Sequence, residues 1–361
     1  MAELPTRTPG AWRRATSRLG RIALIAAITV ALAETTLRIR AARESAACRL
    51  DLGVTATAFP PPFSGSCARA PDATLGQLIR PSRVPDLLFE LKPRADTCYR
   101  GARVVVNADG LRAPAAYDRP KPAGVYRVLL LGDSQAFGQG VTYEQTFGAL
   151  LERALQERAR AERVEVINAG VPAYNTVQEA AFYASAGTTY RPDCVLILFI
   201  GNDLEIPEFM LAPDDGLALD RLFLADALAD LSWAARRKLG YSGFELRPSF
   251  LPRVPPALAH LVGLDAYEKA LRRIAETARG DGARVVDLAD YRAESRRGGR
   301  RRAAEIVELQ RRLGIAVPAF SFPRDLGYRQ SDSDRHLNPA GHAELMRRVL
   351  AAVSEECPRV R

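Results

Sequence analysis

From residue 126 onward the chain alternates between two hydrophobic patterns. Short, continuously apolar runs occupy 128–131, 164–167, 195–200, 285–288 and 315–320. Between and after them, apolar positions recur every three or four residues, at 144–160, 177–186, 267–279, 301–313 and 339–353. An unbroken apolar run of this length suits a strand covered on both faces, and the three-to-four spacing suits a helix with one apolar side. Strands that alternate with helices join into a parallel sheet through right-handed crossovers. The pattern predicts an α/β fold: a three-layer α/β/α sandwich around a five-stranded parallel sheet.

Residues 1–40 read differently. Arg13, Arg14, Arg18 and Arg21 precede an apolar run at 22–33. A basic flank followed by about a dozen apolar residues matches a secretory signal, and Ala31-Leu32-Ala33 fits the small-x-small cleavage rule. The other reading keeps 1–40 as an uncleaved signal-anchor: 22–39 makes a tilted transmembrane span of about 18 residues, shortened by Glu34 and Arg38. Either way the rest of the chain is expected outside the cytoplasm. It would be a single-pass inner-membrane protein with a periplasmic domain, or a secreted one if cut after Ala33.

Residues 41–124, with Pro60-Pro61-Pro62 and several turn formers, predict an irregular extension with short strands, one of them at 103–106. The main domain is expected at 125–357. Within it, 204–262 break the alternation with Pro207, Asp214, Asp215, a helix at 222–239 and a Pro-rich segment ending near Pro256. That is the pattern of an insertion or lid above the strand ends. Trp233 and Tyr241 in it are expected either in a core or against a sugar.

Charge narrows the function. The 361 residues carry 51 Lys and Arg against 42 Asp and Glu, a formal net charge of +9. An excess of this kind would suit nucleic acid. The arginines, however, alternate with acids along most helical stretches and cluster only near the N-terminus and at 296–302, with no nucleic-acid motif beside them. No nucleic acid is expected; the 296–302 cluster reads as a solvated helix start or a contact with anionic lipid or glycan. Of five cysteines, Cys194 opens an apolar run and reads as a buried thiol. Cys48, Cys67, Cys98 and Cys357 remain for two disulfides, in any of three pairings. Three histidines without ligand spacing give no metal site, and no cofactor is expected.

The candidate chemistry sits where three strands end. Gly132-Asp133-Ser134, Asn168-Ala169-Gly170 and Gly201-Asn202-Asp203 each follow an apolar run, and open parallel sheets build sites at that edge. Ser134, in a tight turn between strand and helix, is placed to attack a carbonyl whose developing charge faces backbone N–H groups. Its plainer reading is a helix cap. His336 follows the last strand in a loop with Asp332 and Asp334, as a general base oriented by a carboxylate would. His342, inside the closing helix, is expected only to pack. His260, in the variable stretch, is expected to have no neighbouring carboxylate of note, and Asp133 and Asp203 read as turn-bonding residues.

Together these residues resemble the SGNH (GDSL) hydrolases. Leu131-Gly132-Asp133-Ser134 with Gly138 looks like the first block of that family, Asn168-Ala169-Gly170 the second and Gly201-Asn202-Asp203 the third. His336 with Asn338, Gly341 and His342 looks like the last, and the blocks stand in the family's order. The resemblance implies Ser134 as nucleophile and His336 as base, with the oxyanion held by the N–H groups of Ser134 and Gly170 and the Asn202 amide. The N-terminal segment with Asn107, Gly110 and Arg112 resembles an anchored, envelope-associated subgroup. One departure stands out: the family's usual acid position, three before the histidine, holds Ser333. Some relatives place the acid two before the histidine, so the resemblance favours Asp334 over Asp332. The implied reaction is hydrolysis of an acyl ester, O-acetyl included, on a small molecule or an envelope or extracellular glycan. An O-acyltransferase using the same residues and an inactive glycan-binding scaffold are the alternatives.

Overall fold

The computed structural model describes residues 9–51, 59–159, 163–212, 217–218, 221–238, 244–290 and 300–357. Asp214, Asp215, Tyr241, Arg296 and Arg297 lie outside them. The chain opens with helix α1 (Pro9–Asp51), a short turn of helix α2 (Leu75–Leu78) and two antiparallel hairpins. These are β1 (Ile79–Pro81) with β2 (Phe89–Leu91), and β3 (Asp96–Tyr99) with β4 (Ala102–Val105).

The main sheet follows. Its strands are β5 (Val125–Leu131), β6 (Arg163–Asn168), β7 (Cys194–Ile197), β8 (Arg284–Asp287) and β9 (Ile315–Ala316). They pair in parallel in the order β6-β5-β7-β8-β9. The connecting helices are α3 (Ser134–Phe137), α4 (Phe147–Arg158), α5 (Thr176–Ser185), α6 (Phe223–Lys238), α7 (Leu264–Asp281), α8 (Arg300–Leu313) and α9 (Pro339–Glu356).

Successive side chains of a strand point to opposite faces, and both faces here are apolar. Leu129, Leu131, Val195 and Ile197 pack with Tyr183 of α5, Leu271 and Ile274 of α7 and Ile306 of α8. Val128, Leu130 and Leu196 pack on the other side with Leu151 of α4 and with Leu345 and Val349 of α9. This is the three-layer sandwich the apolar runs predict. Each fully buried leucine contributes about 2 kcal/mol.

The structure differs from the sequence expectation in four places. The strand expected over 195–200 pairs only over Cys194–Ile197. The edge strand expected over 315–320 pairs only at Ile315 and Ala316, because Pro318 has no N–H to extend the ladder. The helix expected over 144–160 begins later. Residues Tyr143–Gln145 form a 3-10 turn, and Thr146 caps α4 by accepting from Ala149 N at 3.3 Å. The cysteine assignment also changes. Cys67 pairs with Cys98, and Cys194 pairs with Cys357, so Cys194 is no lone thiol; the Cys48 side chain lies outside the described residues. The start of β7 and the end of α9 lie 163 residues apart in sequence but 6.1 Å apart between Cα atoms.

The hairpins before the sheet form their own cluster over the nucleophile region. Leu78, Leu87, Phe89, Leu91 and Tyr99 pack with Phe137, Val171 and Tyr174. The extension thus covers the strand-to-helix turn in which Ser134 stands.

Candidate active site

Strand β5 delivers Ser134 to the carboxyl edge of the sheet as the first residue of α3. Asp133 caps that short helix, its Oδ1 accepting from Gln135 N at 2.9 Å. Gly138 ends it in the left-handed region at φ 84°, where a side chain would be strained. Gly170, at the end of the β6 loop, lies against the same helix. A Cβ there would fall on Phe137 N and within 2.8 Å of the Ala136 carbonyl carbon. Glycine is needed for that close approach.

Ser134, His336 and Asp334 stand in a line of contacts. His336 Nε2 stands 2.9 Å from Ser134 Oγ, and His336 Nδ1 stands 2.6 Å from Asp334 Oδ1. The same carboxylate oxygen accepts from His336 N at 3.0 Å. A proton on Nδ1 facing Asp334 leaves Nε2 free to accept from the serine. Burial alone would raise the Asp334 carboxyl. The His336 N–H, the imidazole and the more distant Arg100 outweigh it and hold the group below the ordinary carboxylate range. Asp332 is exposed and makes no hydrogen bond to His336. Of the two acids left open by the sequence, the geometry brings Asp334 to the imidazole.

The histidine loop is tied to the nucleophile helix by residues that sequence reasoning did not single out. Gln135 Oε1 accepts from Leu337 N at 3.3 Å, and Gln139 Nε2 stands 3.3 Å from His336 Nδ1. Gln330 clasps the loop: its Nε2 donates to Leu337 O at 2.8 Å and to Gly140 O at 3.2 Å. Tyr99 of the N-terminal hairpin donates to Gln139 Oε1 at 3.3 Å. No motif announces glutamines in such roles.

The expected oxyanion donors differ in what occupies them. The Asn202 amide gives one hydrogen to Asp133 Oδ2 at 3.0 Å and has a second to give. The Ser134 N–H heads α3, where no intrahelical acceptor exists. The Gly170 N–H meets Asn168 Oδ1 at 2.9 Å. Asp133 Oδ2 also lies 3.1 Å from Ser134 Oγ. Burial raises the Asp133 carboxyl, against the lowering by Asn202 and the Gln135 N–H.

The model of the GDSL-like lipase/acylhydrolase family matches residues 130–344. The chain belongs to that family. Its members hydrolyse esters, and the matched span holds every side chain of the Ser134 cluster. Among solved structures, TesA is similar at 18% identity over 63% of this chain and 98% of its own, with a TM-score of 0.39. The esterase EstA from Pseudoalteromonas sp. is 12% identical over 63% and 97%, with a TM-score of 0.39. An acetyl xylan esterase from Geobacillus stearothermophilus is 13% identical over 64% and 95%, also at 0.39. A search of curated proteins gave no match.

In this GDSL domain the N-terminal extension reaches the nucleophile helix through Arg112. Its fully buried guanidinium donates to Phe137 O at 2.6 Å, to Gly138 O at 2.5 Å and to Val141 O, with the Phe137 ring 4.6 Å away. The Phe137 and Gly138 carbonyls close α3 and the Val141 carbonyl belongs to the loop after it, so the one guanidinium ties the helix end to that loop; Gly138 O also accepts from Val141 N at 3.3 Å. Burial lowers the guanidinium to about 9, which keeps it charged at neutral pH. A lysine could satisfy one carbonyl but not the planar set. Arg112→Lys is expected to lower kcat for an aryl ester roughly 10- to 100-fold, through a small shift of Ser134. Michaelis–Menten kinetics beside a circular-dichroism melt would check it.

The other two histidines stand apart from Ser134. His342 is buried in α9, stacked on Phe147, and its Nδ1 accepts from Phe147 N at 3.3 Å. It packs, as its helix position predicts. His260 does have a carboxylate partner, contrary to the sequence expectation: Asp86 of the extension, 174 residues away, lies 2.9 Å from its Nε2. Burial pushes the Glu179 and Asp203 carboxyls well up, with repulsion from Asp133 and Asp287 adding at Glu179 and repulsion from Glu179 and Asp133 adding at Asp203.

Burial pulls His342 down to about 3, whereas an unfolded histidine titrates near 6.5. Between those values the unfolded chain holds the extra proton, so stability falls as pH drops through that window, by up to about 1.4 kcal/mol per unit. His342→Gln keeps an acceptor for Phe147 N but has no such titration. The difference in melting temperature between variant and parent should therefore move in favour of the variant from pH 6.5 to pH 4.

Proposed function

We propose that this protein is a membrane-anchored serine esterase that removes acyl groups, O-acetyl among them, from envelope or extracellular glycans. The continuous reach from Ser134 Oγ through His336 to Asp334, at 2.9 and 2.6 Å, carries the reading. His336 Nε2 takes the hydroxyl proton as Ser134 Oγ attacks the ester carbonyl. The oxyanion rests on the Ser134 N–H and the second Asn202 N–H. Gly170 N–H joins them by sharing its hydrogen with Asn168. His336 then gives the proton to the departing sugar hydroxyl, and the acyl group stays on Ser134. Water, deprotonated by the same imidazole, releases it as a carboxylic acid.

Two further observations support the placement. Gly20–Arg43 is one helix apolar and long enough to cross a membrane, and it runs unbroken past Ala33. The paired cysteines suit an oxidising compartment. The test of substrate class is acetate release from an O-acetylated polysaccharide by the full chain in detergent. Release that Ser134→Ala abolishes is expected. Cleavage of aryl acetate with no release from any acetylated glycan would contradict the glycan reading, and an acetyl group passed from Ser134 to a second glycan's hydroxyl instead of to water would make the protein a transferase.

A further inference from the structure

Helix α6 of the insertion carries its polarity reversed for a helix facing water. Its acids turn inward: Asp226 accepts from Arg221, and Asp230 accepts from Ser249 N at 3.0 Å and Ser249 Oγ at 2.6 Å. Two of its leucines turn outward. Leu228 and Leu231 are 59% and 66% exposed, with exposed Ala225, Ser232 and Ala235 on the same side, and Leu222, just before the helix, is 66% exposed. That stripe meets its first charge at Arg236, where the sequence runs into Arg237 and Lys238. An apolar stripe with a basic end suits a lipid surface with anionic headgroups.

The position of α6 points to the same partner. Glu34 of α1 accepts from Phe223 N at 3.0 Å and Leu224 N at 2.7 Å, satisfying N–H groups that the start of α6 leaves unpaired. Arg38 pairs with Glu34 at 2.8 Å, donates to the Ala218 and Arg221 carbonyls at 2.8 Å each, and lies 4.7 Å from the Phe223 ring centre. The two charges that interrupt the apolar segment thus form a clamp on the insertion. Leu222 sits at the level of that clamp, beside Phe223. Ile22, Ile25 and Ile28 of α1 are themselves exposed, and from Arg18 to Arg38 a helix rises about 30 Å, the thickness of a hydrocarbon core.

We propose that α6 rests in the bilayer surface, its leucine stripe in contact with lipid and its depth set by the Glu34–Arg38 clamp. The proposal rests on the reading of α1 as a membrane anchor. It also narrows the substrate. Asn202 lies six residues before Glu208, and Glu208–Met210 packs beside α1. The oxyanion side of the site is therefore tethered close to the membrane, and the acyl ester it meets is one borne at the membrane surface.

The test reconstitutes the full chain in phosphatidylethanolamine–phosphatidylglycerol vesicles, with an environment-sensitive fluorescent amino acid at one position at a time. Ile28 reports the anchor, Leu222 and Leu228 report α6, and exposed Glu308 of α8 is the water control. Lipids spin-labelled near the headgroup should quench Leu222 and Leu228 at least threefold more than Glu308, with Ile28 quenched by labels deeper in the chain. Introducing Glu34→Ala with Arg38→Ala should reduce quenching at Leu222 and leave Ile28 unchanged. Quenching at Ile28 with none at Leu222 and Leu228 would overturn the proposal while sparing the anchor; a second protein copy covering the stripe would give that result. Absence of quenching at Ile28 would overturn the anchor reading and the proposal with it.

Discussion

Replacing His336 with alanine is expected to lower kcat for a short aryl ester on the order of 10⁴- to 10⁶-fold, with little change in KM. The loss is large because, among the described residues, no other base reaches the Ser134 hydroxyl in the right sense. Asp133 Oδ2 lies 3.1 Å from it, but that carboxyl is buried, committed to Asn202 and unable to pass a proton on to a leaving alcohol. Ser134→Ala should fall as far, and the double variant no further, since the two act as one unit. Steady-state rates for the three variants, beside melts showing that each is folded, check the prediction. Additive losses would mean that the two residues act separately.

The second large effect concerns the acid. Asp334→Asn is expected to cost roughly 10²- to 10⁴-fold in kcat, because an amide holds the ring less firmly and cannot offset the positive charge His336 gains. The lower part of that range suits this site, whose carboxylate side chain is 39% exposed and partly screened by water. Asp332→Asn should change kcat less than twofold, within the scatter of surface substitutions. Equal and mild effects from both would reduce the arrangement to a Ser-His pair. Loss in Asp332→Asn alone would reverse the assignment.

The sheet was legible because each of its strands is buried on both faces, so 128–131 and 164–167 stand out as unbroken apolar runs. The Ser134 and His336 positions were legible for a related reason: both follow such runs, and the fold sends all parallel strand ends to one edge. What escaped was contact between distant segments. Nothing near Cys194 in sequence announces Cys357, and nothing near His260 announces Asp86. Arg112 was marked only through the family resemblance, with no hint that its guanidinium would reach the carbonyls ending α3. Gln139 and Gln330 carry no motif at all, because a glutamine that braces a loop looks the same in sequence as one on a wet surface. Glu34 and Arg38 looked like interruptions of an apolar span and turn out to hold a helix nearly 190 residues away.

The central claim is that Ser134 is a nucleophile activated by His336. Its most direct test is to treat the full chain with a fluorophosphonate, weigh the intact protein and map the adduct by peptide mass spectrometry. A single adduct on Ser134 is predicted, absent from Ser134→Ala and strongly slowed in His336→Ala. A folded protein that takes no label, or one labelled elsewhere whose Ser134→Ala variant still turns over aryl esters, would contradict the account.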